Sequence, residues 1–168
     1  LAIEAALYAQ QVPVRSTETM VPFHLFPSFL AEEFKTFVKK EPILSHHQFA
    51  TVFAFDDSNH HLISARKNIK LAQVSEGITL SKYDLEELEV KYDHHSFDRL
   101  IFHISRREEK NLREIFYQAA LLLKKTGTLL IINRPGFTYT VPEEWGLVEQ
   151  STVKKGENQY AYMLLKQK

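Results

Sequence analysis

Residues 49–58 have the sequence FATVFAFDDS, a continuous apolar run that ends in two acids and a serine. The run is rich in β-forming residues, and the buried strands of parallel sheets have runs of this kind. Residues 59–73 follow with apolar side chains at helical spacing, which are Leu62, Ile63, Ala65, Ile69, Leu71 and Ala72. The stretch therefore predicts a strand followed directly by a helix, the repeating unit of α/β proteins.

The same alternation continues toward the C-terminus. The apolar pattern predicts three further strands, over 77–81, 97–104 and 128–133. A long amphipathic helix is predicted over 106–125, and residues 146–154 and 159–166 predict a closing hairpin. The expected fold is α/β, with a mainly parallel, twisted sheet, an antiparallel hairpin at one edge and helices on both faces.

The N-terminal third is less regular. Its apolar pattern predicts a helix over residues 1–11 and a second helix over 28–40. The segment between them contains Pro13, Pro22 and Pro27, which interrupt regular structure. Neither a repeat nor a low-complexity linker divides the sequence, so a single domain is expected over residues 1–168.

Composition excludes several classes of protein. The 168 residues are 44% hydrophobic and 25% charged, as in globular proteins, and no apolar run reaches the length of a membrane span. The absence of cysteine excludes a disulfide framework and a thiolate metal site, and it fits a reducing, cytoplasmic compartment. The 21 basic and 21 acidic residues balance, whereas proteins that bind nucleic acid unaided usually carry a basic excess.

Three segments occur in an order and spacing that resemble a known family. The strand ending at Asp56 precedes a helix, a second strand ends near Tyr83-Asp84-Leu85, and a third covers residues 97–102 before the next helix and strand. This ordered set resembles the class I S-adenosylmethionine-dependent methyltransferases from about Gln48 to the C-terminus. The resemblance implies a Rossmann-like methyltransferase fold with S-adenosylmethionine as the cofactor.

The N-terminal residues narrow the resemblance. The sequence LAIEAAL at residues 1–7 is similar to the helix that follows the glycine-rich cofactor loop in a family of RNA methylases, whose members often carry a THUMP RNA-binding domain. In that family a central strand and a Cys-Gly-Ser-Gly-Thr-type loop precede this helix, and here both are missing. Three interpretations stay open: residues upstream of Leu1 are absent from this sequence, another segment fills the gap, or the chain binds the cofactor in a different way.

The resemblance assigns the cofactor-binding residues. Asp56, with Asp57 beside it, corresponds to the acid that accepts hydrogen bonds from the ribose hydroxyls, and two carboxylate oxygens suit a vicinal diol. Asp84 corresponds to the residue that contacts the adenine amine, and Leu85 to the side chain that packs on the adenine ring. The structural alternatives are that Asp56 caps the following helix and that Asp84 is an ordinary loop carboxylate.

The catalytic motif departs from the family pattern. Amino-directed members carry Asn/Asp-Pro-Pro-aromatic after the fourth strand, and the matching residues here are His103-Ile104-Ser105-Arg106. A neutral His103 can accept a hydrogen bond from a target amine, and Arg106 can stack on a base through its guanidinium plane. Ser105 is a weaker candidate because it is also a natural N-cap for the helix that follows. The alternative for His103 is a hydrogen bond to a backbone carbonyl at the end of its strand.

Histidine pairs at 46–47, 60–61 and 94–95 raise the question of a metal site. Adjacent residues on a helix or strand do not both face one site, and the sequence has no HExxH motif and no cysteine. We therefore predict no metal ligands. The basic residues of 106–113 alternate with glutamates at helical spacing, which is typical of a solvated helix face.

The sequence favours methyl transfer to RNA, with an exocyclic base amine of tRNA or rRNA as the acceptor and a separate RNA-binding domain as a helper. Substitution at a sulfonium methyl group needs positioning more than a catalytic base, so a positioning loop would carry the chemistry. The main alternative is a methyltransferase-like scaffold or binding subunit without turnover. A third interpretation is a nicotinamide-dependent oxidoreductase, because an acid after the second strand also suits that cofactor.

Overall fold

The computed structural model describes residues 1–9, 32–33, 51–105, 111–136 and 139–168. The chain folds into two compact units, residues 1–82 and residues 83–168. A single domain over the whole chain therefore stays a prediction. Among the helices in the described ranges, none has both the length and the apolar character needed to cross a membrane.

The first unit confirms the strand-helix-strand pattern predicted for its second half. It contains helix α1 (Ala2–Ala9), strand β1 (Val52–Phe55), helix α2 (Asn59–Leu71), a 3-10 turn (Ser75–Gly77) and strand β2 (Ile78–Ser81). Strands β1 and β2 pair in parallel, with Phe55 opposite Ser81. Their shared core contains Ala6, Leu7, Ile69, Val74 and Ile78. The predicted helix over 28–40 lies outside the described residues except for Glu32 and Glu33, which are helical.

The second unit confirms the predicted hairpin and the α/β alternation. It contains a 3-10 turn (Leu85–Glu87), helix α3 (Leu88–Lys91), strand β3 (Phe97–His103), helix α4 (Leu112–Leu122), and strands β4 (Leu123–Asn133), β5 (Trp145–Lys155) and β6 (Asn158–Gln167). The sheet order is β3-β4-β6-β5. Strands β3 and β4 are parallel, and β6 is antiparallel to both of its neighbours.

The core of the second unit lies where α4 contacts β3 and β4. Alternate residues of β4 are buried, as expected of a strand with one covered face, and Leu129 and Ile131 are 0% exposed. Leu165 of β6 lies opposite Leu129 and is equally buried. Gln167 donates from Nε2 to the carbonyl of Ala120 at 3.3 Å, which ties the last strand to the final turn of α4.

The predicted end of α4 was wrong. We expected helix through Lys125, but the helix ends at Leu122 and residues 123–125 begin β4. The turn before β3 accounts for this, since the His95 backbone N–H donates to the Leu121 carbonyl at 2.9 Å and Lys124 Nζ lies 2.8 Å from the Asp98 carboxylate. These contacts stabilise the extended conformation of this part of the chain, and tertiary contacts of this kind override helical propensity.

Gly127 sits in a tight place inside β4. A Cβ at this position would lie 2.8 Å from the Lys124 carbonyl oxygen and 3.2 Å from that of Asp98. Because both contacts are with backbone, we expect Gly127→Ala to lower the free energy of unfolding by about 1–3 kcal/mol. Gly146→Ala is the matched control, since its Cβ would meet nothing closer than 3.8 Å. Urea unfolding of both variants measures the difference, and equal midpoints would contradict the prediction.

Candidate functional site

The predicted site residues follow the carboxyl ends of parallel strands. In the first unit, β1 ends at Phe55 and Asp56 comes next, with its backbone N–H donating to the Ser81 carbonyl at 3.4 Å. In the second unit, β3 ends at His103, and its parallel partner β4 ends at Asn133 on the same edge. In open α/β sheets, ligands bind outside the carboxyl ends of the strands. Each unit thus presents its candidate residues at a chemically suitable edge.

Asp56 is held in place by its neighbours in the turn before α2. Its Oδ1 accepts a hydrogen bond from the Ser58 backbone N–H at 2.8 Å. His61 Nδ1, one turn into the helix, lies 3.1 Å from Oδ1 and 3.2 Å from Oδ2. Ser58 occupies the N-cap position of α2, so Asp56 supports the helix start without being its N-cap.

The Asp56 carboxylate keeps capacity for a ligand. Its side chain is 37% exposed, and an ionised carboxylate has about four lone-pair sites, of which the contacts above use only part. Asp57 is exposed in the same turn. The arrangement can accept hydrogen bonds from a diol, which is the chemistry predicted for Asp56.

Asp84 precedes the 3-10 turn of the second unit. It occupies the N-cap position, and its backbone N–H donates to Glu87 Oε2 at 3.0 Å. Asp84 is exposed and Leu85 is partly buried. This contact explains the acid at Glu87, and the assignment of Asp84 and Leu85 to an adenine ring stays a prediction.

His103 and Ser105 are both exposed at the end of β3, on either side of Ile104, which is 2% exposed. The Ile104 backbone N–H donates to the Ile132 carbonyl at 2.8 Å, so the loop is anchored where it leaves the sheet. Arg106 lies outside the described residues. Elsewhere in the unit, His95 makes the strand-carbonyl contact considered for His103, with Nδ1 2.8 Å from the Leu123 oxygen.

An aromatic residue from the hairpin lies beside His103. The ring centroids of His103 and Tyr160 are 6.3 Å apart, and the ring planes are tilted by 54°. In the sheet, His103 lies opposite Ile132, and Ile132 lies opposite Tyr162. Tyr160 lies two residues before Tyr162 in β6. Both rings therefore project from one face and meet across the end of β4.

Sequence reasoning missed Tyr160. Its alternation with Tyr162 was a visible signal that both tyrosines share one face of a strand. The register between β6 and β4 could not be read from that alternation, and the register alone brings Tyr160 to the edge where His103 lies.

A separate cleft of about 460 Å³ lies between α4 and residues 140–144. Its lining includes Arg113, Phe116, Tyr117, Pro142 and Glu144. None of the site residues predicted from the sequence lines this cleft. The ring of Tyr139 lies 6.5 Å from that of Phe116, and burial raises the pKa of the Tyr139 hydroxyl to about 12. The phenol therefore stays protonated at neutral pH.

The histidine pairs do not assemble a metal site in the described part of the chain, where no three or more His, Asp or Glu side chains converge. His60 and His61 lie on α2 with ring centroids 6.2 Å apart, and His94 and His95 lie in the turn before β3. The pair at 46–47 is outside the described residues. The candidate residues of the first unit are thus carboxylates, and those of the second unit include an imidazole beside an aromatic ring.

Comparison with protein families gives a match over most of the chain. Residues 1–125 match the family described as RMKL-like, methyltransferase domain (UPF0020). The matched range includes Asp56, Asp84 and His103. A comparison with curated proteins gave no significant match.

Several solved structures are similar to this chain. An rRNA methylase from Streptococcus thermophilus is 15% identical with a TM-score of 0.52, over 70% of this chain and 73% of the methylase. TrmN from Thermus thermophilus is 20% identical with a TM-score of 0.56, over 70% of this chain and 36% of TrmN. A conserved hypothetical protein from Streptococcus pyogenes is 13% identical with a TM-score of 0.57, over 70% of this chain and 72% of that protein. These similarities confirm the predicted Rossmann-like α/β fold, while the expected mainly parallel sheet matches only in part, since two of the four strand pairs among the described residues are antiparallel.

Proposed function

Because this chain belongs to the RMKL-like methyltransferase domain family, we propose that it transfers a methyl group from S-adenosylmethionine to an exocyclic amine of an RNA base. The chain is a methyltransferase domain, and the RNA acceptor and the amine are the proposed part. The observation that carries the proposal is Asp56, an accessible carboxylate fixed by Ser58 directly after the first strand of a parallel pair.

Taken one unit at a time, the residues present have the chemistry to hold parts of the cofactor. The Asp56 carboxylate has open acceptor sites for the ribose hydroxyls, and the partly buried Leu85 offers an apolar surface for the adenine ring beside the exposed Asp84. When bound, S-adenosylmethionine supplies the electrophilic methyl group. The residues of this chain have to bind it, orient the acceptor and exclude water.

His103 is the group that we assign to the acceptor. The unprotonated nitrogen of a neutral imidazole accepts a hydrogen bond from an N–H of the target amine. This hydrogen bond orients the lone pair of the amine nitrogen. The lone pair that His103 orients would receive the methyl group that bound S-adenosylmethionine supplies, with the electron pair of the broken C–S bond left on sulfur and the amine proton released to water. His103 is exposed at the strand end while Ile104 anchors the loop, so its ring can meet a ligand from a fixed backbone. Ser105 and Arg106 belong to the same proposal as flanking contacts to the base.

RNA is the proposed partner, with a separate RNA-binding domain contributing affinity. The balance of 21 basic and 21 acidic residues supports this division, because phosphate contacts supply much of the affinity for nucleic acid. This chain aligns with only 36% of TrmN, so activities of larger proteins do not transfer directly. We place the activity in the cytoplasm, in agreement with the absence of cysteine.

A scaffold or binding subunit without turnover is the second candidate. The segment His103-Ile104-Ser105-Arg106 contains no proline, so the loop after β3 lacks the rigidity of the family motif. In that case the chain would keep its fold and could bind an active partner without transferring a methyl group.

The proposal is tested with labelled S-adenosylmethionine and unmodified tRNA and rRNA transcripts, on this chain and on any longer form that its gene encodes. We expect saturable cofactor binding by calorimetry and label in RNA, with an N-methylated base identified by mass spectrometry. Cofactor binding without label, at stoichiometric protein, would favour the scaffold. No cofactor binding by any form would rule out catalysis.

A further inference from the structure

We propose that Tyr160 is the surface on which the acceptor base stacks, so that the C-terminal hairpin forms part of the target site. This inference rests on the proposed function, since it concerns the base to be methylated. It adds a binding residue from a segment, β6, that lies far from His103 in the sequence but beside it in the sheet.

The position of Tyr160 carries the inference. The last pair between β4 and β6 joins Asn133 to Ala161, so Tyr160 stands one residue beyond it, at the carboxyl end of β4. Its backbone pairs with Val153 of β5, which fixes it on the other side. An aromatic ring is thus held by regular structure at the edge of the sheet where ligands of open α/β folds bind.

The relation of the two rings suits a base. His103 and Tyr160 have ring centroids 6.3 Å apart and planes tilted by 54°, so they do not stack flat on each other. The tyrosine ring is partly buried and the imidazole is exposed. A flat apolar surface therefore adjoins a hydrogen-bonding group, and enzymes that act on extruded bases combine stacking with hydrogen bonds to the edge of the base.

The neighbouring segment supplies no aromatic ring of its own. Residues 103–106 include no Phe, Tyr or Trp, and the next ring along β6, Tyr162, is engaged with β5. The Tyr162 hydroxyl donates to Glu149 Oε1 at 2.6 Å, a contact that raises the pKa of Tyr162. Tyr162 thus connects the two strands of the hairpin, whereas Tyr160 lies beside His103, the residue assigned to the acceptor.

The experiment compares Tyr160→Ala, Tyr160→Leu and Tyr160→Phe with Tyr162→Ala as the matched control on the same face of the same strand. The probe is a single-stranded RNA oligonucleotide with one central 2-aminopurine, whose fluorescence is quenched when the base stacks. We expect the alanine and leucine variants to bind the probe roughly 5- to 100-fold more weakly and to lose the quenching. The phenylalanine variant and the control should stay within about twofold of wild type, because stacking needs the ring and not the hydroxyl.

Calorimetry with S-adenosylmethionine on the same proteins distinguishes failure of the Tyr160 inference from failure of the proposed function. Unchanged cofactor binding together with loss of base stacking in Tyr160→Ala and Tyr160→Leu supports the inference. Cofactor binding with equal probe affinity and equal quenching in all variants overturns the inference alone. Failure of the wild type to bind the cofactor, both as this chain and as any longer form, overturns the proposed function, and failure to quench the probe overturns the stacking role. Tyr160→Leu retains an apolar side chain of similar bulk. If Tyr160→Ala unfolds, Tyr160→Leu tests whether base stacking needs the aromatic ring.

Discussion

Replacement of His103 by alanine is expected to lower the rate of methyl transfer by about 100-fold, the cost of a small misplacement of reacting groups. His103 stands at the end of β3 with its imidazole exposed, and the proposed reaction depends on it to orient the amine lone pair. Single-turnover methylation with saturating cofactor measures the chemical step directly. Affinity for S-adenosylmethionine should stay within about twofold, since His103 is assigned to the acceptor and not to the cofactor.

Two further variants give this prediction its specificity. His103→Asn restores a side-chain oxygen acceptor, and we expect it to recover part of the lost rate. His94→Ala removes an exposed histidine from the turn before the same strand, far along β3 from the site, and should leave the rate unchanged. A His103→Ala variant that methylates as fast as wild type would contradict the assignment.

Replacement of Asp56 by alanine should weaken binding of S-adenosylmethionine by roughly 10- to 150-fold, the range for loss of hydrogen bonds to a charged group. The carboxylate is 37% exposed and oriented by the Ser58 N–H, so it offers its remaining lone pairs without a change of rotamer. Calorimetry gives the dissociation constant, and thermal unfolding shows whether the start of α2 is intact.

The control for Asp56 is Glu76→Gln, because Glu76 is an exposed acid that precedes β2 at its amino end. Its removal changes the net charge by the same amount and should leave cofactor affinity within about twofold. Asp56→Asn preserves the shape and one acceptor oxygen, so an intermediate loss is expected. Equal affinities for wild type and Asp56→Ala would mean that the acid serves only the turn before α2.

Elements built from local patterns were predictable. The apolar run before Asp56, the helical spacing of residues 59–71 and the hairpin of β5 and β6 all appear in the structure close to their predicted bounds. Each depends on side-chain periodicity over a few residues, which the sequence displays directly. The positions of Asp56 and His103 at the ends of parallel strands followed from the same patterns, whereas their roles come from the family resemblance and stay predictions.

Contacts between distant segments were not predictable. Helix α4 stops at Leu122 because the turn at His95 binds the Leu121 and Leu123 carbonyls, and nothing in the apolar spacing of residues 112–125 marks that point. The likeness of Asp56 to a ribose-binding acid was visible in the sequence, whereas its contacts with Ser58 and His61 needed the geometry of the turn.

The sequence by itself determined the type and order of the main strands and helices and, to within one residue, where the parallel strands end. The tertiary structure alone decided which side chains from different strands meet, as His103 and Tyr160 do at 6.3 Å. The physical reason is register: a shift of one residue between β4 and β6 would turn Tyr160 to the opposite face. In that register the fully buried Leu129 pairs with the fully buried Leu165, and the buried Ile131 pairs with the partly buried Met163, contacts that form only when the sheet assembles.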